Sequence, residues 1–142
     1  MNIYLDIDGT LIHEDLSKLR QPAEGLVAFL EAIRSHDLFW LTTHCMNGGP
    51  THAQTLLKSV TPHELHTLID SIRPTSWHTL KTEAIDFTIP FIWFDNDVLN
   101  EERDVLKEKA VHDKHWLVEV DLIENPSRLV GITQDYFTLN SW

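Results

Sequence analysis

Two carboxylates stand close together near the start of the chain, in the segment Asp6-Ile7-Asp8-Gly9-Thr10. On an extended chain Asp6 and Asp8 point to the same side, while Ile7 turns into the core. Carboxylates this close repel one another unless a cation lies between them, or unless one is protonated and acts as an acid. Gly9 permits a sharp backbone turn that would expose Asp8. The segment therefore predicts cation binding or acid–base chemistry.

Other interpretations of this segment are weaker. A turn with solvated carboxylates is disfavoured because the segment ends a predicted strand, residues 3–7. A calcium-binding loop would need glycine at its sixth position and glutamate at its twelfth, where Leu11 and Ser17 stand. The DxD motif of sugar-nucleotide transferases normally lies deep inside a longer chain. A catalytic site at the end of the first strand is the interpretation that remains.

The segment resembles the first motif of phosphatases of the haloacid dehalogenase (HAD) superfamily. In that family the first Asp attacks phosphorus and the second is the general acid and base. The resemblance therefore implies these roles for Asp6 and Asp8. It also implies three further elements in a fixed order along the chain, and this sequence has a candidate for each.

The second and third elements bind and neutralise the phosphoryl group. The second is a threonine or serine after the second strand, for which we favour Thr42, with Thr43 as the alternative. The third is a lysine near a helix start, which stabilises the nucleophile and the developing phosphoryl charge. Lys81 has the right place in the order. Lys58 is a weaker candidate because it lies at the end of a predicted helix.

The fourth element is an acidic cluster after the next strand, which the segment Asp95-Asn96-Asp97 supplies. The resemblance implies a Mg²⁺ site formed by Asp6, the carbonyl of Asp8 and Asp95, since Mg²⁺ prefers oxygen ligands. Many relatives carry two adjacent acids here, whereas Asn96 interrupts them. Asn96 or Asp97 could bind the metal through water, or could only turn the chain.

The mechanism implied by the resemblance is hydrolysis of a phosphate monoester in two steps. Asp6 attacks phosphorus in line while Asp8 protonates the leaving oxygen, which gives an aspartyl-phosphate. Asp8 then deprotonates the water that hydrolyses this intermediate, and magnesium and Lys81 neutralise charge. We therefore predict a magnesium-dependent phosphatase. The alternative is a binding or regulatory protein that keeps the fold and the metal but turns over poorly, and Asn96 is its support.

Short apolar runs alternate with segments of helical periodicity. Strands are predicted at residues 3–7, 38–41, 91–94 and 116–120, and a turn at residues 47–50. Helices are predicted at residues 22–36, 51–58, 81–87, 101–111 and 133–139. Residues 59–79 show no clear period, and we expect a loop with one short strand there. This order indicates an α/β fold with a parallel sheet covered on both faces, over a single domain of residues 1–142.

The resemblance narrows the fold to a HAD-like, Rossmann-type three-layer sandwich. Only 31 residues separate Thr10 from Thr42 and 38 separate Thr42 from Lys81, and core elements must fit into both intervals. We therefore expect no large cap domain. An open site would suit a phosphoprotein, or a phosphorylated small molecule enclosed by an oligomer.

Composition limits the partners and the location. The 142 residues include 11 Lys and Arg against 22 Asp and Glu, so the formal charge is -11, which disfavours nucleic acid as a partner. The single cysteine, Cys45, excludes an internal disulfide and is typical of a reducing compartment. No secretory signal and no run of ~18 apolar residues occurs. We expect no membrane association and a cytoplasmic location.

Overall fold

A four-stranded parallel sheet forms the centre of the computed structural model, which describes residues 1–45, 49–110 and 115–137. Its strands are β1 (Asn2–Leu5), β4 (Asp37–Trp40), β5 (Phe91–Asp95) and β6 (His115–Glu119). A separate antiparallel hairpin is formed by β2 (Ile12–Glu14) and β3 (Arg20–Pro22). The order across the sheet is β4-β1-β5-β6, so β1 and β5 are neighbours at its centre.

Helices cover this sheet. They are α1 (Leu26–Ile33), α2 (Thr51–Lys58), α3 (His66–Ser71), α4 (Asn100–Lys109) and α5 (Arg128–Ile132), with short 3₁₀ helices at Thr43–Cys45, His63–Leu65 and Lys81–Ala84 and a π-helical turn at Thr133–Phe137. None of the helices in the described ranges is both long and apolar enough to cross a membrane. The architecture is an α/β sandwich of Rossmann-like layers.

Alternation along the central strands divides the core between the two faces of the sheet. Ile3 and Leu5 pack with α1, α2, α3 and α5, whereas Tyr4 packs on the opposite face with Leu106 of α4. β5 repeats the pattern, with Phe94 on the first face and Trp93 on the second. Apolar side chains therefore fill both faces of a strand, which is why these strands lack polar alternation in the sequence.

Most predicted strands and helices occur close to their expected positions, and α2 has the bounds expected from the sequence. The helix predicted at residues 22–36 is wrong at its start, because β3 occupies Arg20–Pro22 and Gly25 has a φ of 79°. The helix predicted at residues 81–87 is only a 3₁₀ helix, Lys81–Ala84, since Ile85 is extended. The last helix begins earlier than predicted, at Arg128.

The loop predicted at residues 59–79 is also wrong, because α3 lies within it. Its buried residues, Leu68 and Ile69, pack on the core although the flanking sequence has no clear period. The short strand expected there reduces to one parallel bridge between Arg73 and Phe39 at the outer edge of β4. Parts of three other predictions, at residues 47–48, 111 and 138–139, lie outside the described residues.

The β2–β3 hairpin was missed by the sequence analysis, which assigned no element to residues 12–21. Its turn is held by Asp15, whose Oδ1 accepts hydrogen bonds from the backbone N–H groups of Ser17 (2.9 Å) and Leu19 (3.0 Å). Three-residue strands give too little alternation to be recognised as strands. The hairpin follows Thr10 directly and so lies beside the segment that carries Asp6 and Asp8.

Candidate active site

Asp6 and Asp95 meet at the carboxyl edge of the sheet. Asp6 directly follows β1 and Asp95 is the last residue of β5; the register pairs Leu5 with Phe94, and the Asp6 N–H donates to the Phe94 carbonyl at 3.1 Å. Both residues are buried, with Asp6 7% and Asp95 0% exposed. Parallel neighbouring strands thus bring two carboxylates that are distant in sequence to one point.

Lys81 joins these two carboxylates. Its Nζ lies 2.7 Å from Asp95 Oδ2 and 3.3 Å from Asp6 Oδ1, and its side chain is 12% exposed. Burial opposes the ammonium charge, but the carboxylates of Asp6 and Asp95 outweigh it, so the pKa of Lys81 is raised. A permanently charged lysine therefore neutralises part of the buried negative charge.

The Asp6 carboxyl group is held in an environment that opposes its ionisation. Burial and the neighbouring charge of Asp95 raise its pKa from 3.8 to about 7, although Lys81 and the hydrogen bond from the Ile7 backbone act in the opposite direction. One lysine does not fully compensate two buried carboxylates. A further cation at Asp6 would favour the ionised form that a nucleophile needs.

Asp95 accepts hydrogen bonds from three donors. Its Oδ2 accepts from Lys81 Nζ and from Trp93 Nε1 at 3.1 Å, and its Oδ1 accepts from the Asp97 N–H at 2.9 Å. These contacts fix the carboxylate and direct it toward Lys81. The metal-ligand role predicted for Asp95 stays a prediction, and its observed contacts are those of a partner for the lysine.

Glu102 is a functional candidate that the sequence analysis missed. Its carboxylate is buried, 2% exposed, and accepts hydrogen bonds from the Lys81 N–H at 2.7 Å and the Leu99 N–H at 2.9 Å. It therefore ties the start of the 3₁₀ helix carrying Lys81 to the start of α4. The signal in the sequence was a glutamate in the first turn of a helix. A carboxylate there can accept hydrogen bonds from the backbone N–H groups that have no partner within the helix.

Asp8 lies at the mouth of the site, with its side chain 63% exposed. Its Oδ2 is 2.5 Å from His44 Nε2, and the His44 ring packs edge-on against His52 with centroids 4.6 Å apart. Asp8 and Asp6 both line a cavity of about 430 Å³. The structure thus brings one buried and one exposed carboxylate to the same cavity, with Ile7 in the core between them.

The two threonines after β4 differ in their positions. Thr43 lines the cavity with Asp6, Asp8 and Lys81. Thr42 is buried behind it, and its Oγ1 accepts a hydrogen bond of 3.4 Å from the His44 N–H. The phosphoryl-binding role favoured for Thr42 stays a prediction, and Thr43 is the residue that the cavity exposes.

The Asn96 amide lies between two oxygen atoms beside Asp6. Its NH₂ group donates to Asp6 Oδ2 and to the Asp8 carbonyl oxygen, each at 2.9 Å. If the amide is reversed, its Oδ1 and these two oxygens form a cluster of three acceptors, which we call the oxygen cluster. The two orientations suit different occupants, because an inward oxygen suits a cation and an inward NH₂ group suits an empty site.

Gly9 makes this approach of Asn96 possible. Its φ is 77°, a left-handed value, and a Cβ atom at this position would lie 2.3 Å from the nearest atom of the Asn96 amide. Only glycine provides both the backbone conformation and the space. The glycine of the first segment therefore shapes the oxygen cluster as well as the turn.

In the described part of the chain, no group of three or more His, Cys, Asp and Glu side chains is arranged to hold a metal ion. The oxygen cluster is of another kind, since it consists of one carboxylate, one backbone carbonyl and one amide. Such hard oxygen donors suit Mg²⁺ better than zinc or another thiophilic metal.

Comparison with known proteins adds no functional assignment. No family model, no curated protein and no solved structure matches this chain at a significant level. Any function proposed for this chain therefore rests on the order and the geometry of its own residues.

Proposed function

We propose that this chain is a magnesium-dependent phosphohydrolase of the HAD type, which hydrolyses phosphate monoesters through a phosphorylated Asp6. The observation that carries the proposal is the contact of Lys81 Nζ with Asp6 and Asp95, at 3.3 and 2.7 Å. These residues come from separate segments of the chain that the resemblance orders in advance. Their meeting at one sheet edge supports the roles that the resemblance implies.

The oxygen cluster is the proposed magnesium site, formed by Asp6 Oδ2, the Asp8 carbonyl and Asn96 Oδ1. Octahedral Mg²⁺ with bonds of roughly 2.1 Å separates adjacent ligand oxygens by about 3 Å. With the Asn96 amide reversed, its Oδ1 would lie 2.9 Å from each of the other two oxygens, which agrees with this spacing. Asn96 then takes a direct ligand role, and Asp95 acts as the fixed partner of Lys81.

Asp6 Oδ1, which faces Lys81, is the proposed attacking atom. It forms a bond to phosphorus while the bond to the leaving oxygen breaks, and Asp8 transfers its proton to that oxygen. The magnesium ion, when bound, withdraws charge from the phosphoryl oxygens and lowers the pKa of Asp6. Lys81 stabilises the same developing charge from the opposite side of the carboxylate.

Hydrolysis of the phosphorylated Asp6 completes the cycle. Asp8, now a carboxylate, accepts a proton from a water molecule as that water attacks phosphorus. The bond from phosphorus to Asp6 breaks, which releases inorganic phosphate and restores both carboxyl groups. The exposure of the Asp8 side chain gives it access to both the leaving group and the incoming water.

A binding or regulatory protein with the same fold is the second candidate. Its support in the sequence was Asn96, which interrupts the acidic pair expected in the fourth element. The proposed magnesium site gives Asn96 a use as a metal ligand, so this support is weakened.

Thiol chemistry is also disfavoured, because Cys45 is buried and burial raises its pKa to about 11.

Hydrolysis of p-nitrophenyl phosphate, with magnesium and with a chelator, tests the proposal. We expect turnover only with magnesium, together with a magnesium-dependent rise in melting temperature. Asp6→Asn is the matched control, since it preserves shape and removes the nucleophile. Turnover that is equal with and without Asp6 would refute the proposed mechanism, and magnesium binding without turnover would favour the regulatory alternative.

A further inference from the structure

A second cavity, of about 630 Å³, adjoins the site and has no role in the mechanism above. Asp8 and Asn96 line both cavities, whereas Asp6 and Lys81 line only the first. The outer wall of the second cavity is the β2–β3 hairpin, including Glu14 and Arg20, and the loop that follows β6. The two cavities thus meet at Asp8.

The position of Asp8 assigns a role to this second cavity. Under the proposed function, on which this inference rests, Asp8 protonates the oxygen that leaves phosphorus on the side away from Asp6. The leaving group must then lie against Asp8, where the first cavity opens into the second. We propose that the second cavity binds the leaving group of the substrate and selects it by size and charge.

The volume of the cavity selects the size of the leaving group. Sites for small organic molecules typically enclose about 300–1,000 Å³, and about 630 Å³ falls in this range. Its floor is apolar, since Ile12 and Leu122 are buried and line it. A small alcohol fits a recess of this volume.

Charge selects the kind of alcohol. Apart from Asp8, which serves as the proton donor, the ionisable residues that line the cavity are the acids Glu14 and Asp121 and the bases Arg20 and His13. Asp121 is fixed in place, because its Oδ1 accepts hydrogen bonds from the N–H groups of Ile123 (3.0 Å) and Glu124 (3.1 Å). When His13 is neutral, the two carboxylates outnumber the one guanidinium and repel a leaving group that carries its own carboxylate or second phosphate. The substrate class is therefore a phosphate monoester of a neutral or ammonium-bearing alcohol.

Three aliphatic esters that differ in leaving-group charge provide the test: choline phosphate (cationic), glycerol 2-phosphate (neutral) and 3-phosphoglycerate (anionic). For the wild-type protein with magnesium, we expect kcat/KM for the cationic and neutral esters to exceed that for the anionic ester at least about tenfold. In a Glu14→Gln, Asp121→Asn double variant the ratio should fall to about threefold or less. Glu108→Gln, an exposed helix carboxylate that lines neither cavity, should leave the ratio unchanged.

The outcomes separate this inference from the proposed function. Hydrolysis of all three esters at similar rates would overturn the charge selection while leaving the phosphatase intact. A preference that persists in the double variant would place the selection elsewhere and overturn it as well. If neither these esters nor p-nitrophenyl phosphate is hydrolysed, both the proposed function and the inference about the second cavity are wrong.

Discussion

Lys81 and Asp95 form the most buried ion pair that the described residues contain, with Nζ 2.7 Å from Oδ2. The lysine side chain is 12% exposed and the aspartate 0%. A buried pair of this kind contributes little net stability when intact, but removing one partner leaves an uncompensated charge. The pair therefore makes the candidate site sensitive to single substitutions, and this sensitivity can be measured.

Lys81→Met should destabilise the protein by about 3–5 kcal/mol at neutral pH, because Asp6 and Asp95 would be left buried without their cation. It should also abolish turnover. Lys58→Met is the matched control, since Lys58 pairs with Asp70 at the surface and should cost only about 0–1 kcal/mol. Urea denaturation measures both free energies of unfolding. Equal losses in the two variants would contradict the buried charge cluster.

Asp6→Asn should remove activity while changing how stability depends on pH. In metal-free protein the pKa of Asp6 is raised to about 7 by burial and by Asp95, so the folded state binds a proton that the unfolded state releases near 3.8. Wild-type stability should therefore fall as pH rises from about 4 to 7. The variant lacks this contribution, so its stability relative to wild type should rise across that interval. Denaturation in a chelator at a series of pH values tests this, and parallel curves would contradict it.

Asn96→Leu should abolish stabilisation by magnesium, because it removes one of the three proposed ligand oxygens. Asn96→Asp should retain magnesium binding, since a carboxylate supplies an oxygen at the same place. Asp104→Asn, which changes an exposed carboxylate of α4 that lines neither cavity, is the control. Calorimetric titration with MgCl₂ measures the affinities. Unchanged magnesium affinity in Asn96→Leu would exclude Asn96 as a ligand and favour Asp95 in that role.

Gly9→Ala should weaken magnesium binding at least about tenfold and destabilise the protein by about 1–3 kcal/mol. The added Cβ would displace the Asn96 side chain and would strain a left-handed backbone. Gly131→Ala is the matched control, because its Cβ would meet no atom within 4 Å and α5 should gain helix propensity. Thermal melts with and without magnesium compare the two. A Gly9 variant as stable and as responsive to magnesium as the control would be inconsistent with the close approach of Asn96.

Glu102→Gln should lower kcat more than it raises KM. The amide offers one acceptor oxygen where the carboxylate offers two, so the hydrogen bond to either the Lys81 or the Leu99 N–H is lost. The expected cost in stability is about 1–3 kcal/mol. Glu101→Gln, an exposed neighbour, is the control and should change neither quantity appreciably. If kcat is unaffected while stability falls, Glu102 has only a structural role.

Local sequence features predicted the positions of the site residues correctly. Short apolar runs end at Asp6, near Thr42 and at Asp95, and apolar strands buried on both faces are recognisable because they lack polar alternation. Parallel strands present their carboxyl ends at one edge, and the resemblance implied that Asp6 and Asp95 share a site there. The ends of the strands are properties of single segments, which a sequence carries directly.

Contacts between distant segments could not be predicted in the same way. Lys81 and Asp6 are 75 residues apart and Thr10 and Asn96 are 86 apart, so the distances between them depend on register and packing across the whole sheet. The tether from Glu102 to Lys81, the inward Asn96 and the second cavity under the hairpin all depend on such packing. The sequence by itself determined which residues end the strands. Only the tertiary structure decided which oxygen atoms meet, because side-chain contacts across elements are fixed by packing and not by local propensity.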